Sequence, residues 1–352
     1  MKVLIETYGC AANRDDTAIM KGILKQGGHS LINNLKGAEI VIINTCIAKG
    51  PTESKIVHRI REIKNNYPKK KLIIAGCMPE AEYKICKTLF PEVSLINTFH
   101  IKQILKVINS KKRIELLGKE KEIKLNLPKE KIPTIQIAQG CSGNCTYCSV
   151  KLAKGELYSF PEEKILKELK GKKIIHLTAT DTGCYGKDIG SSLTKLLNKI
   201  ISLKGDFKLK VGMMNPENVS FMLNDLIEIY KSKNVVKFLH VPIQSGSDKV
   251  LREMNRRYTV KDIRNIFKEF RKNIGGINIA TDVICGYPTE TEEDFKETLE
   301  LIKELKPEVL NISKFFPRPN TAASKLKQLP SEIVKKRSIT LTDLYKKIKA
   351  EK

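Results

Sequence analysis

Apolar residues in the first 110 positions form short unbroken runs rather than alternating with polar ones. Val3-Leu4-Ile5, Ile40-Val41-Ile42-Ile43 and Leu72-Ile73-Ile74-Ala75 are separated by helix-length segments. Runs of this kind suit strands of a parallel sheet that is covered on both faces. The pattern resumes further on, with candidate strands at 134–139, 173–179, 207–213, 235–243, 277–284 and 308–315. Helices are expected near 161–170, 191–203, 216–232, 259–273 and 291–305. Glu162-Glu163 and Glu292-Glu293-Asp294 place acids in first helical turns, where they offset the positive end of the dipole. Six parallel strands fall short of the eight of a closed barrel. The expected fold class is therefore α/β, an N-terminal parallel-sheet domain followed by an open, partial (β/α)6 barrel. Residues 111–131, with Lys119-Glu120-Lys121-Glu122 and Pro128-Lys129-Glu130-Lys131, read as an extended, solvated linker. Residues 331–352 read as a basic helical tail with Val334, Leu341, Tyr345 and Ile348 on one face. The expected domains are 1–110, the linker 111–131, 132–330 and the tail 331–352.

Each N-terminal run ends within a few residues in a cysteine: Cys10, Cys46 and Cys77. A parallel sheet puts all its carboxyl ends on one edge, the edge at which open α/β sheets bind ligands. Topology alone then gathers three thiols at one rim, where they could hold a metal cluster; isolated buried cysteines are the plainer alternative. A second set, Cys141, Cys145 and Cys148, lies at i, i+4 and i+7 in a loop after the first barrel strand. Three thiolates so spaced can wrap one face of a cubane iron–sulfur cluster, leaving one iron open where such clusters normally take four ligands. A structural zinc site would need a fourth ligand nearby, and the next candidates, His176 and Cys184, lie beyond a full helix. Cys86 reads as a packing residue, His240 as a packed strand histidine, and Cys184 and Cys285 as thiols without an iron bond.

Charge adds a partner. The 64 Lys and Arg against 39 Asp and Glu give a net +25, which points to a polyanion such as nucleic acid. Nine cysteines in 352 residues do not form a secreted disulfide framework, and no stretch has the apolar length of a membrane span. Met1-Lys2-Val3-Leu4-Ile5 starts a strand at once, leaving no room for a signal peptide. The expected setting is a soluble, reducing cytoplasm with no membrane.

The cluster loop Gln139-Gly140-Cys141-Ser142-Gly143-Asn144-Cys145-Thr146-Tyr147-Cys148 resembles that of the radical S-adenosylmethionine enzymes. The order of strand-end cysteines, linker, cluster loop and partial barrel resembles one family among them, the methylthiotransferases. The likeness continues through Asp181-Thr182-Gly183-Cys184-Tyr185-Gly186, Gly212-Met213-Met214-Asn215-Pro216, and Pro242-Ile243-Gln244-Ser245-Gly246-Ser247. It also covers Met254-Asn255-Arg256-Arg257-Tyr258, Asp282-Val283-Ile284-Cys285-Gly286-Tyr287-Pro288 and Phe316-Pro317-Arg318-Pro319-Asn320-Thr321. Ala153-Lys154-Gly155-Glu156-Leu157-Tyr158-Ser159-Phe160-Pro161 looks like the archaeal and eukaryotic branch, which acts on N6-threonylcarbamoyladenosine beside the tRNA anticodon. Lys154 stands there in place of an arginine and loses its bidentate fork.

The resemblance implies two 4Fe–4S clusters, S-adenosyl-L-methionine, tRNA and a reducing electron donor. It implies that Cys141, Cys145 and Cys148 hold the cluster that generates a 5′-deoxyadenosyl radical. Cys10, Cys46 and Cys77 would hold the cluster that carries the sulfur. Tyr147, Asp181, Gln244, Ser245, Arg257 and the Gly286 turn would contact S-adenosylmethionine. Family members usually end in a small RNA-binding β-barrel, and this sequence stops at Lys352 before one, so that either the chain is truncated or its RNA contacts are expected elsewhere. Two rivals remain: the same chemistry on a ribosomal protein, which the branch segment and the charge argue against, and a non-catalytic iron–sulfur RNA-binding protein, which the intact loop argues against.

Overall fold

The three N-terminal apolar runs become neighbouring strands of one sheet in the computed structural model, which describes residues 1–47, 50–118, 120 and 123–351. Lys119, Lys121 and Glu122 of the charged stretch and Lys352 of the tail lie outside the described residues. The chain divides into two units, Met1–Cys141 with Ser149–Lys170, and Ser142–Cys148 with Gly171–Lys352.

In the first unit the strands are β1 (Lys2–Thr7), β2 (Ser30–Leu31), β3 (Ile40–Thr45), β4 (Lys71–Gly76), β5 (Ser94–Asn97) and β6 (Glu115–Leu116). They pair in parallel in the order β2-β1-β3-β4-β5-β6. Between them run α1 (Ala11–Gln26), α2 (Gly50–Asn66), α3 (Met78–Ala81), α4 (Tyr83–Leu89) and α5 (Ile104–Asn109). Successive side chains of a strand point to opposite faces, so each run feeds two cores. Val41, Ile43 and Ile74 join Ile56, Ile60 and Ile63 of α2 on one face. Ile40, Ile42 and Ile73 join Ile19, Met20 and Leu24 of α1 on the other. Cys86 lies in the first of these cores. The unit is completed by β7 (Thr134–Gln136), β8 (Ala138–Gln139), α6 (Val150–Lys154), β9 (Tyr158–Ser159) and α7 (Glu162–Leu169), with β8 and β9 antiparallel.

The charged stretch is not a solvated linker throughout. Lys124 is 1% exposed, and its Nζ donates to Asp16 Oδ1 at 2.7 Å. Lys129 lies 3.3 Å from Asp15 and 2.6 Å from Glu168. The cause is on α1, whose inner face buries two adjacent carboxylates. A buried charge needs a partner, and lysines more than a hundred positions later supply it.

The second unit contains β10 (Ile174–Thr178), α8 (Leu193–Ile201), β11 (Lys208–Lys210), α9 (Pro216–Phe221), α10 (Leu223–Tyr230), β12 (Phe238–His240), α11 (Asp248–Glu253), α12 (Val260–Asn273), β13 (Asn278–Cys285), α13 (Glu292–Leu305), β14 (Val309–Lys314) and α14 (Ser331–Ala350). β10 pairs with β11, and β13 lies between β12 and β14, all in parallel. A parallel bridge from Leu209 to Val235 carries the order across from β11. The helix expected over 216–232 is two helices, broken at Met222 (φ −113°, ψ 17°). α12 and α13 each begin with a full capping box, on Thr259 with Asp262 and on Thr291 with Asp294.

α14 buries Val334, Leu341 and Ile348, and the Tyr345 hydroxyl donates to the Glu308 carbonyl at 2.8 Å. Its strongest anchor is ionic. Arg337 Nη1 lies 2.8 Å from Glu290 Oε2, and the two side chains are 6% and 1% exposed. The Gly286 N–H donates to the same carboxylate oxygen at 2.7 Å. Removing one partner of such a pair strands the other in an apolar setting. Arg337→Ala is therefore expected to destabilise the chain by about 3–5 kcal/mol in denaturant titration. A loss below about 1 kcal/mol, the range of exposed ion pairs, would show that the pair anchors nothing.

Candidate metal centres and cofactor site

The first unit brings Cys10, Cys46 and Cys77 to the carboxyl edge of its sheet, after β1, β3 and β4. The strand order reverses between β1 and β3, and ligand crevices of doubly wound sheets open at such a point. Gly9 shows how closely the segments approach. It has φ +136°, and a Cβ built on it would stand 2.7 Å from Cys46 Cβ and 3.1 Å from Cys46 Sγ. Cys46 and Cys77 are buried and Cys10 is exposed.

A polar network holds these strand ends in register. Cys10 Sγ donates to Asn13 Oδ1 at 3.2 Å, and Asn13 Nδ2 donates to the Thr45 carbonyl at 2.7 Å. Asn44 Nδ2 donates to the Asn13 carbonyl and to Thr17 Oγ1, both at 2.8 Å. Thr45 Oγ1 donates to the Ala75 carbonyl at 2.5 Å and accepts from the Met78 N–H at 3.1 Å. Buried polar groups are tolerable only when satisfied in this way, and together they fix the rim.

Burial pushes the Cys77 thiol up to about 12, with Lys154 pulling the other way. Burial opposes the charge of Lys154, yet Cys10, Cys77, Asp16 and Cys46 outweigh it and raise its pKa. A metal would have to take these ligands as thiolates, so binding and deprotonation are coupled.

Cys141 belongs to the first unit, where its N–H donates to the Gly155 carbonyl at 3.3 Å. Cys145 and Cys148 belong to the second, where Arg256 closes on the loop. Arg256 Nη1 lies 3.0 Å from Cys145 Sγ, Nη2 3.2 Å from Asn215 Oδ1, and Nε 2.9 Å from the Tyr258 hydroxyl. The Tyr258 hydroxyl in turn donates to the Ile243 carbonyl at 3.0 Å.

The residues expected to contact S-adenosylmethionine divide by position. Tyr147 is partly buried against Val250, Met254, Tyr287 and Ala323. Asp181 is buried, accepting from the Gly183 and Asn215 N–H groups at 2.9 and 3.1 Å and from Asn218 Nδ2 at 2.8 Å. Burial raises its pKa against those bonds. Gln244 holds φ +68° at the carboxyl end of the sheet, a conformation that costs a non-glycine residue about 1 kcal/mol or more. Ser245 is buried, with its Oγ 3.4 Å from Thr298 Oγ1. Gly286 has φ +79°, and a Cβ there would meet Val334 at 2.6 Å, so this glycine lets α14 pack. Arg257 points outward and is exposed; its neighbour Arg256 is the one turned to the loop. Asn255, at φ +55°, sets that orientation.

A further group was hidden in the sequence. The uncovered face of the second unit's sheet carries His176, Lys210, His240 and Asp282, each partly exposed. His240 is not simply packed: its Nε2 lies 3.0 Å from Asp282 Oδ2, and Asn311 Nδ2 donates to Asp282 Oδ1 at 2.7 Å. Single polar residues inside apolar strands were the only signal. Cys184 and Cys285 are buried, and Cys184 Sγ donates to the Asp181 carbonyl at 3.0 Å.

The α/β architecture and thiol-rich loop agree with the known proteins. A model described as the Radical SAM superfamily matches residues 135–302, which sets the class of protein. A second, described as uncharacterized protein family UPF0004, matches residues 2–98. The fold is shared with the cobalamin-dependent S-adenosylmethionine radical enzyme OxsB, with a TM-score of 0.59 at 12% identity over 98% of this chain and 56% of that one. It is shared too with the radical methyltransferase TsrM from Kitasatospora setae, with a TM-score of 0.57 at 13% identity over 92% and 77%.

Closer relatives are named as probable threonylcarbamoyladenosine tRNA methylthiotransferases. Those of Pyrococcus horikoshii and Methanocaldococcus jannaschii are each 42% identical, over 96% and 99% of this chain and 82% and 83% of their own lengths. The human threonylcarbamoyladenosine tRNA methylthiotransferase is 35% identical over 98% of this chain and 62% of its own. The chain belongs to the threonylcarbamoyladenosine tRNA methylthiotransferase family.

The Arg256 geometry gives a test. Groups that hydrogen-bond a metal ligand typically change metal affinity or activity about 10–100-fold when lost. Arg256→Met is expected to slow reductive cleavage of S-adenosylmethionine by that factor, whereas Arg257→Ala stays within about twofold. Equal losses in the two variants would contradict the assignment.

Proposed function

We propose that the chain converts N6-threonylcarbamoyladenosine, 3′ of the anticodon of tRNA, to its 2-methylthio derivative. The observation that carries this reading is the rim of Cys10, Cys46 and Cys77 in a chain that also carries the loop of Cys141, Cys145 and Cys148. Both donor sets consist of thiols alone, which suits iron–sulfur clusters better than hard cations. The rim fits such a group: Gly9, where a Cβ would stand only 2.7 Å from Cys46 Cβ, lets the segments that carry Cys10 and Cys46 come close together.

Cys141, Cys145 and Cys148 would hold one 4Fe–4S cluster, and Cys10, Cys46 and Cys77 a second. When bound, these clusters and S-adenosyl-L-methionine supply the one-electron and sulfur chemistry that replaces an unactivated C–H bond, chemistry no acid–base side chain can perform. The protein's part is placement. Arg256 Nη1, 3.0 Å from Cys145 Sγ, fixes the position of that sulfur in the loop. Asp181 ties the turn after β10 to the start of α9 and so shapes the cofactor's floor. Tyr147, Gln244, Ser245, Arg257 and the Gly286 turn would supply the walls, with Arg256 beside them against Cys145.

The partner side of the reading is tRNA, a reducing one-electron donor and a cytoplasmic setting. No helix among the described residues is long and apolar enough to cross a membrane. At the amino-terminal edge of the first unit's sheet, an open cleft of about 690 Å³ is lined by Lys64, Lys69, Lys70, Lys71, Lys111, Lys112 and Arg113, with Glu92 the one acid. Together with the +25 net charge, this favours a phosphate backbone as partner.

The test is mass spectrometry of nucleosides from tRNA incubated with the reconstituted enzyme. The expected product is 2-methylthio-N6-threonylcarbamoyladenosine. Methylthiolation of isopentenyladenosine, with none of the threonylcarbamoyl nucleoside, would contradict the reading.

A further inference from the structure

The parallel sheet of the second unit has one covered face, on which Ile175, Leu177, Leu209, Leu239, Ile279 and Val283 are buried. The other face carries His176, Lys210, Phe238, His240, Asp282 and Asn311, each partly or fully exposed. Parallel sheets are ordinarily apolar on both faces. Two histidines, a lysine and an aspartate within the strands give up that packing and leave the face suited to a polar ligand.

The charged groups of this face differ in how they are answered. Asp282 is held by its neighbours: His240 Nε2 lies 3.0 Å from Oδ2, and Asn311 Nδ2 donates to Oδ1 at 2.7 Å. Lys210 has no such match. Its Nζ stands 4.0 Å from the centroid of the Phe238 ring, and no carboxylate pairs with it among the described residues. Lys208, two positions earlier on β11, is already used, with Nζ donating to the Lys233 carbonyl at 3.0 Å.

His176 is the register partner of Lys210, on a strand about 4.8 Å away. Burial and the neighbouring ammonium lower its pKa, so it is a neutral imidazole with a ring N–H to donate. An unmatched ammonium beside such a donor suits a small anion. A phosphate backbone would call for several cations along its path. The row also adjoins the cofactor walls, since Gln244 follows His240 by four positions and bridges to Val283, next to Asp282.

We propose that Lys210, with His176 beside it, binds the carboxylate of the substrate's threonyl group and so selects the threonylcarbamoyl nucleoside. This rests on the substrate proposed above, whose threonyl group ends in a carboxylate that an isopentenyl group lacks. His240 and Asn311 serve the same end by holding the Asp282 carboxylate two strands from Lys210. A site built to pair a polar substrate group rejects an analogue that lacks it, because its own polar groups are then left unpaired.

The experiment uses the full chain, reconstituted with iron and sulfide, on two substrates. One is tRNA carrying N6-threonylcarbamoyladenosine, and the other is the same tRNA with the threonyl carboxylate capped as its methylamide. The readout is the ratio of kcat/KM for methylthiolation of the two, which a general loss of folded enzyme leaves unchanged. The parent is expected to favour the carboxylate substrate about 10–100-fold, the range of a hydrogen bond to a charged group. K210M is expected to bring the ratio to about one, through a higher KM for the carboxylate substrate. K210R, which keeps the charge, is expected to stay within about threefold of the parental ratio. K208M is expected to keep that ratio. A K210M enzyme with the parental ratio would overturn the proposal. So would a K210M enzyme that loses affinity for S-adenosylmethionine instead, since that cofactor brings a carboxylate of its own. A parent active on the threonylcarbamoyl tRNA with a ratio of about one would sink the subsite alone. A parent that methylthiolates neither tRNA would sink the substrate reading, and the subsite with it.

Discussion

Parallel strands deliver all their carboxyl ends to one edge, and the first unit depends on that constraint. Its three cysteines come from segments separated by whole helices, yet β1, β3 and β4 are adjacent and parallel, so the residues that follow them share a rim. The near-continuous apolar runs that make the sheet parallel are thus also what assembles the thiols. A one-residue slip in β3 would exchange Ile40 and Ile42 with Val41 and Ile43 between the two cores and rotate Cys46 away from Gly9. The Asn13, Asn44 and Thr45 network ties the same strand ends sideways, which makes the register costly to change.

Buried charge is the second theme, and it follows from the first. A carboxylate buried on the helix behind the rim needs a cation beside it. Asp15 and Asp16 on α1 are matched by Lys129 and Lys124 from more than a hundred positions later in the chain. In the second unit Arg256 lies against Cys145 Sγ, while the Glu290–Arg337 pair docks α14 on the Gly286 turn.

The sequence made the architecture and the cysteine sets legible because both are local signals. Apolar runs mark parallel strands, and cysteines at run ends or at i, i+4 and i+7 need no knowledge of distant residues. β5 was missed because Ser94-Leu95-Ile96-Asn97 offers only two apolar residues between polar ends. The burial of Lys124 could not be read, since a lysine in a mixed-charge stretch looks the same whether water or an aspartate far away in sequence is its partner. Which of the adjacent arginines lies against Cys145 could not be read for a similar reason: Arg256 and Arg257 differ only in which way the turn at Asn255 points them. The His240–Asp282–Asn311 set joins three separate strands and is visible only once they are paired.

The central claim is that two cysteine sets build two separate metal centres. Iron per chain, measured after anaerobic reconstitution of the parent and of the two triple alanine variants, tests it most directly. The account predicts that removing Cys10, Cys46 and Cys77 leaves about half the iron, and that removing Cys141, Cys145 and Cys148 does the same, since each centre is a four-iron cubane. A rim variant that keeps its full iron content would contradict it, and would make those three thiols part of the core.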